Sequence, residues 1–331
     1  MASSASWTPG RWCCDAILTR HAGLLAAAGL LAATAAQADL LRHCAAPPAL
    51  DAVQHDRLFR FAAVVRETLD QSGQRLALIA RAGTDLRRFA QRYSHAGISL
   101  RASPNTPWSV RQLYYDCDIG QPRLFDQGLP GFLLGGADPA QGHIVLLLLP
   151  EAAERPLEAA ALDVRLAQQV LGASYSANAH AFSTRYQNCN QWVAELLAQA
   201  WGGLPAPAPG DGPAAARAQA QQWLRQRGYV PTRITVHNPL VTLAGAVMPW
   251  LHTDDHPPEA VRAQQFDVSM PASIAAFVQR QVPGVQRVEF CHDLQKIVVR
   301  QGWTPLGAGC QPAAGDRVIP LQPAPVGGIG A

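Results

Sequence analysis

Apolar positions recur along this chain with different periods, and each change of period marks an element. Over 51–69 the residues Leu58, Phe59, Ala62, Val65 and Leu69 fall at helical spacing, and Ser72-Gly73 ends the run. That spacing predicts an amphipathic helix. Leu76-Ala77-Leu78-Ile79 predicts a short strand over 75–80, followed by a polar, arginine-rich connection over 83–92. A strand is predicted over 94–101, a turn at Pro104-Asn105-Thr106-Pro107, and a second strand over 108–115, so that the two form a hairpin-like pair. Residues 120–141 read as loop, with Gly128, Pro130, Gly131, Gly135 and Gly136. The continuous apolar run 143–149 suits a strand at a sheet centre covered on both faces. Helices are predicted over 156–171, ended by Gly172, and over 189–201, stopped by Gly202-Gly203.

The second half is less strongly patterned. Residues 204–213 are rich in Pro, Gly and Ala and read as a linker, and 213–227 as a helix ended by Gly228. An apolar helix is expected near Val241, with strand signals near Ile234, over 285–290 and over 297–299. No internal repeat is present. The mixture predicts an α+β protein: an antiparallel sheet packed on a cysteine-bearing helix over 39–203, the linker, and a C-terminal α/β extension over 214–331.

Residues 1–38 carry a different signature. Arg11 and Arg20 precede an apolar run from Gly23 to Ala36, and Ala36-Gln37-Ala38 offers the small residues of a cleavage site. This reads as a secretory signal peptide, and a retained membrane anchor is the alternative; the run is shorter than the roughly 20 residues a spanning helix needs. A periplasmic or secreted protein with no stable membrane span is therefore expected. Composition mainly excludes. The net charge of +3 becomes +2 without Arg11, Asp15 and Arg20, which gives no electrostatic case for nucleic acid. Lys296 is the only lysine, so the basic residues are otherwise arginine.

Five cysteines follow the predicted cleavage point: Cys44, Cys117, Cys189, Cys291 and Cys310. An odd number in an oxidising compartment leaves at least one free or paired between chains. With Cys189 set aside, four cysteines allow three pairings; Cys291–Cys310 and Cys44–Cys117 are the expected pair of bridges.

Cys189 is set aside for its chemistry. Asn188 is a good N-cap, which puts Cys189 at the first helical position, where unpaired N–H groups and the helix dipole favour a thiolate. It precedes Trp192 and Val193 by three and four residues and so shares their buried face. In the strand over 94–101, His95, Gly97 and Ser99 share one face and Ala96, Ile98 and Leu100 the other. The first face is small and polar and leaves room beside an imidazole that could act as general base. On the next strand Gln112 sits mid-strand, and its amide oxygen can accept an imidazole N–H; Tyr114 and Asp116 are the alternatives. A packed cysteine and a structural histidine are the competing reading.

The motifs Tyr93-Ser94-His95-Ala96-Gly97-Ile98 and Asn188-Cys189-Asn190-Gln191-Trp192-Val193 occur with the histidine first. That order resembles the circularly permuted branch of the NlpC-like, papain-fold superfamily, which includes the lecithin:retinol acyltransferase-like proteins. The resemblance covers roughly residues 75–200. It implies a permuted papain-like core in which Cys189 is the nucleophile, His95 the base and a polar group of the next strand, here Gln112, the orienting residue. It also implies cleavage or transfer at an amide or ester acyl group, with cell-wall peptide or lipid as substrate classes and no cofactor. The chain also has the character of a bacterial family of exported proteins without assigned function. A non-catalytic binding or assembly factor on the same fold is the second class.

One further cluster offers metal-ligand chemistry. His252-Thr253-Asp254-Asp255-His256 places imidazoles four apart, with His237 upstream, but Pro249, Pro257 and Pro258 argue for a solvated loop rather than a zinc-binding helix. No metal site is expected.

Overall fold

The computed structural model describes residues 44, 49–136, 138–205, 212–237 and 248–321. The predicted signal peptide and the apolar run at 241–247 lie outside the described residues. All the elements below belong to one compact unit, residues 47–331.

Asp51 starts helix α1 (Ala52–Gln71) with a reciprocal capping box: Gln54 N–H donates to Asp51 Oδ1 at 2.8 Å and Asp51 N–H to Gln54 Oε1 at 2.9 Å. The helix buries Leu58, Phe61, Ala62, Val65 and Leu69. Phe59, expected on that stripe, is 53% exposed, because Phe61, one step from Ala62 and four from Val65, takes the core position.

Eight strands follow in one antiparallel sheet: β1 (Leu76–Arg81), β2 (His95–Leu100), β3 (Ser109–Asp116), β4 (Gln121–Gln127), β5 (Gly142–Leu148), β8 (Gln286–His292), β9 (Lys296–Gln301) and β10 (Arg317–Pro320). Their spatial order is β10-β9-β8-β5-β1-β2-β3-β4, with β5 and β1 at the centre, as the run over 143–149, apolar from Ile144 onward, suggests. Between them lie helices α2 (Leu129–Leu134), α3 (Glu151–Leu162), α4 (Val164–Gln169), α5 (Cys189–Gly202), α6 (Pro213–Gln226), α7 (Pro258–Ala263) and α8 (Pro271–Gln281). Strands β6 (Thr232–Thr235) and β7 (Gln265–Val268) form a separate two-stranded ribbon.

The α+β class is as the sequence predicts; three details are not. Residues 120–141 are not simply loop: they hold edge strand β4, paired with β3 along its whole length, and helix α2. β4 is half exposed and lacks an apolar run, and α2 carries Pro130-Gly131 in its first turn, so neither has a strong local signal. The helix predicted over 156–171 starts at Glu151 and is interrupted at Asp163. That side chain caps α4 by accepting from Arg165 N–H at 2.8 Å. Finally, β8 pairs with β5, so the C-terminal strands continue the sheet of the first half rather than forming a separate extension. Residues 206–211 of the expected linker lie outside the described residues.

The sheet is covered on both faces. One face packs Leu58, Phe61 and Val65 of α1 and Leu129, Phe132 and Leu133 of α2 against Ile79, Val110, Ile144 and Phe290. The other presents Leu78, Ala96, Ile98 and Leu113, all buried, and packs β2 and β3 against α5. Burial of this extent supplies the main stabilisation, at roughly 25 cal/mol per Å² of apolar surface.

Candidate functional site

The start of α5 is fixed by polar groups that are themselves buried. Asn188, extended at φ −103°, accepts from Gln191 N–H at 2.7 Å and so caps the helix, while its Nδ2 donates to Ala177 and Ser269 carbonyls at 3.3 Å. Gln187 donates to Val170 O and to Glu195 Oε2 and accepts from Gly172 N–H at 2.7 Å. Arg217 of α6 forms a fully buried pair with Glu195 at 2.8 Å and also donates to the carbonyls of Ser183, Thr184 and Tyr186. The segment leading to Cys189 is thus tied to two helices. Left unpaired, the Arg217 charge alone would cost several kcal/mol, on the order of 3–5. Burial raises the Glu195 carboxyl against the pull of Arg217.

His95 opens β2 and is partly exposed. Its Nε2 lies 2.5 Å from Gln112 Oε1, and Gln112 Nε2 donates to Gln127 Oε1 at 2.7 Å, so the amide oxygen is turned to the ring by its neighbour on β4. The imidazole packs beside Tyr114 at 5.5 Å and Phe132 at 5.9 Å between centroids. Gly97 leaves the space this needs: a Cβ there would stand 2.5 Å from Val110 Cγ1 and 2.9 Å from Arg111 O. Asp116 is turned away and pairs with Arg123 at 3.1 Å.

The two strands separate at this end. β2 and β3 pair from Ile98↔Arg111 onward, so residues 95–97 pair with β1 alone. Into that notch α5 inserts Asn190, whose Oδ1 accepts from Ala96 N–H at 2.9 Å and whose Nδ2 donates to Ser94 O at 3.1 Å. The residue after the cysteine therefore binds the backbone on both sides of the histidine. The His95 ring lies on the α2 face, against Phe132. Cys189 opens α5, and Ala96 N–H, Asn190 N–H and its own N–H favour its thiolate.

Those amides do not prevail. Burial of Cys189, 6% exposed, pushes the thiol up to about 11, and the opposing pull of Arg81 and the three N–H groups only moderates the rise. The lowered thiol expected at a helix N-terminus is corrected accordingly: the desolvation cost of the anion exceeds what the helix start returns.

Among the described residues Cys189 is the free cysteine, Cys291 and Cys310 form the expected disulfide, and Cys44 and Cys117 are each disulfide-bonded. Residues 252–256 are loop, as expected, with Asp254 exposed but the Asp255 and His256 side chains buried. Asp255 Oδ2 accepts from His180 N–H at 2.9 Å, and His256 Nε2 lies 2.8 Å from Asn178 O with its ring buried. His252 instead stacks on Tyr186 at 4.3 Å, and His237 is exposed. Asp255 and His256 stay adjacent, Oδ1 to Nε2 3.6 Å, but among the described residues the possible zinc set does not bring three ligand atoms together. Among the described residues the group with metal-ligand proximity is His143, Cys291 and Cys310, two of whose sulfurs are bonded to each other.

Arg81 and Phe132 carry no catalytic signal in the sequence; Asn190 lies within the cysteine motif, as a polar residue directly after the cysteine. Among the described residues no helix is long and apolar enough to cross a membrane. No curated protein and no solved structure matches the chain. A family profile described as an uncharacterized protein conserved in bacteria matches residues 68–278, which span β1 to α8 and so enclose His95, Gln112 and Cys189. The chain therefore belongs to that bacterial family, DUF2145.

Proposed function

We propose that this is an exported, thiol-dependent hydrolase or acyltransferase acting on an amide or ester, with Cys189 as nucleophile, His95 as base and Gln112 as the group that orients His95. The observation that carries this reading is the 2.5 Å contact of His95 Nε2 with Gln112 Oε1, beside a cysteine helix stapled to both flanks of His95 by Asn190. The histidine-first order of a permuted papain-like core is consistent with it, and the disulfide-bonded cysteines are consistent with export.

The chemistry runs as follows. With Nε2 engaged by Gln112, Nδ1 is the ring nitrogen that takes the Cys189 proton as sulfur attacks the acyl carbon. The tetrahedral oxyanion is met by the N–H of Cys189 at the helix start. Its collapse breaks the bond to the leaving amine or alcohol, which takes the proton from the imidazolium and leaves a thioester. Water, or an acceptor hydroxyl or amine, then gives its proton to His95 and attacks the thioester, restoring the thiol. With a thiol near 11, on the order of one in 10⁴ is ionised at pH 7, so base removal by His95 must accompany attack. Cell-wall peptide or a lipid acyl group are the substrate classes.

The same raised thiol favours a second reading, a binding or assembly factor that keeps the fold with a silent cysteine. Incubation with p-nitrophenyl acetate followed by peptide mass mapping separates the two. The catalytic reading expects an acetyl group on Cys189 in the wild type, slowed by about 10²-fold or more in His95→Ala. An unmodified Cys189, or an adduct that forms equally fast without His95, overturns it.

A further inference from the structure

Arg81 closes β1 directly across from His95 in the antiparallel register, and it is only 5% exposed. Its guanidinium lies 5.2 Å over the Phe132 ring, donates to the Gly135 carbonyl through Nη1, and reaches Tyr114 Oη from Nη2 at 3.4 Å. Nε is buried with no partner. No carboxylate among the described residues supports its charge; Tyr114 and Cys189 do so in part, and burial pulls the group down. Asp138 lines the same small cavity, of about 40 Å³, without forming an ion pair to it. Two glycines make the room. A Cβ at Gly135 would stand 2.3 Å from Nη2 and one at Gly83 2.7 Å from Nη1.

A guanidinium taken out of water without an anion is costly, whereas a planar fork with an unused N–H matches a carboxylate or phosphate oxygen pair. We infer that Arg81 is an oxyanion subsite beside Cys189, and that the substrate carries a carboxylate or phosphate next to the acyl group that is attacked. The oxygens would take Nε–H and the outer N–H of the fork, over the Phe132 ring and against the small cavity. This inference names the substrate class of the proposed thiol site and so rests on that reading. Its binding step requires no reaction.

The test is carried out on the full chain with Cys189→Ala, so that catalysis plays no part. Sodium acetate and sodium phosphate are titrated at constant ionic strength against ¹⁵N-arginine-labelled protein, with chloride as control. The Nε–H resonance missing from Arg81→Lys identifies Arg81. A saturable shift of that resonance with acetate or phosphate, but not chloride, is expected, and the stronger of the two identifies the peptide-type or the lipid-headgroup-type anion. Arg81→Lys keeps the charge and loses the fork, and should weaken binding, read from stabilisation against heat, by about tenfold. No shift at Arg81, an equal response to chloride, or unweakened binding in Arg81→Lys overturns the inference. Loss of acyl transfer by Cys189 with anion binding intact would instead overturn the thiol reading alone.

Discussion

At the scale of single residues the site turns on which interaction wins at each side chain. For Cys189 burial wins over a helix start, a nearby guanidinium and three amides. Under the proposed function, reactivity of this protected thiol depends on His95 rather than on standing ionisation, and Gln112 acts through orientation. Its side chain is buried between the His95 ring and Gln127, and it has no charge with which to stabilise an imidazolium. Gln112→Ala should slow acetylation of Cys189 by about tenfold, less than His95→Ala does, because the base remains but loses its fixed tautomer. Gln112→Asn, too short to reach the ring from the same backbone position, should behave like Gln112→Ala. Equal rates in wild type and Gln112→Ala would show that the ring needs no positioning.

At the scale of elements the important contact is between a helix and a strand end. Asn190 saturates Ala96 N–H and Ser94 O, two backbone groups that the separated edge of β3 leaves without a ladder partner. Asn190→Ala would leave both groups unpaired in a buried notch, at about 1–3 kcal/mol each before relaxation. Urea unfolding of Asn190→Ala should show a loss of about 2 kcal/mol, with a larger proportional loss of Cys189 acetylation than any change in secondary structure measured by circular dichroism. A variant as stable as wild type would show that water replaces the staple. The buried Arg217–Glu195 pair acts on the other side of the same helix, fixing the carbonyls of 183–186 that precede the N-cap.

At the scale of the whole molecule the C-terminal strands are joined to the site by one carboxylate. Glu289 of β8 is fully buried; its oxygens accept from Tyr93 Oη at 2.5 Å, Arg92 at 2.8 Å, Leu306 N–H at 2.7 Å and Arg287 at 2.9 Å. Arg92 and Tyr93 lie just before His95, so strand β8 holds the approach to β2 across the sheet. Burial alone would raise this carboxyl, but the bonds from Tyr93, Leu306 N–H and Arg287 outweigh it and the pKa is lowered. A lowered carboxyl contributes stability that is present above its unfolded value of about 4.3 and is lost as pH falls through the folded value. Denaturant unfolding at a series of pH values should therefore show a fall in stability below about pH 4 that is shallower in Glu289→Gln. The same variant should be weaker than wild type at pH 7 by about 3 kcal/mol, because it leaves Arg287 and Arg92 without their anion. An unchanged acid slope in Glu289→Gln would assign the acid sensitivity to other carboxylates.

What the sequence by itself determined was local and periodic. The helix over 51–69, the strands over 75–80, 94–101, 108–115 and 143–149, and a cysteine at the first position of a capped helix all follow from spacing and capping chemistry, which act within a few residues. So did the residues worth examining, His95, Gln112 and Cys189, because side chains with distinctive chemistry stand out against apolar neighbours. Tertiary structure alone decided the rest. It paired β8 with β5 and so made one sheet of two apparent regions, because strand pairing depends on partners far apart in the chain. It made edge strand β4 from a stretch with no apolar run, because a neighbour's open hydrogen bonds can order a weak segment. It buried Asp255 and His256 in a loop that reads as solvated, and it raised the thiol that a helix start alone would lower, because desolvation is a property of everything packed around a group. It also placed an arginine with no carboxylate partner among the described residues beside the cysteine, since charge balance in a protein interior is settled by residues far apart in sequence.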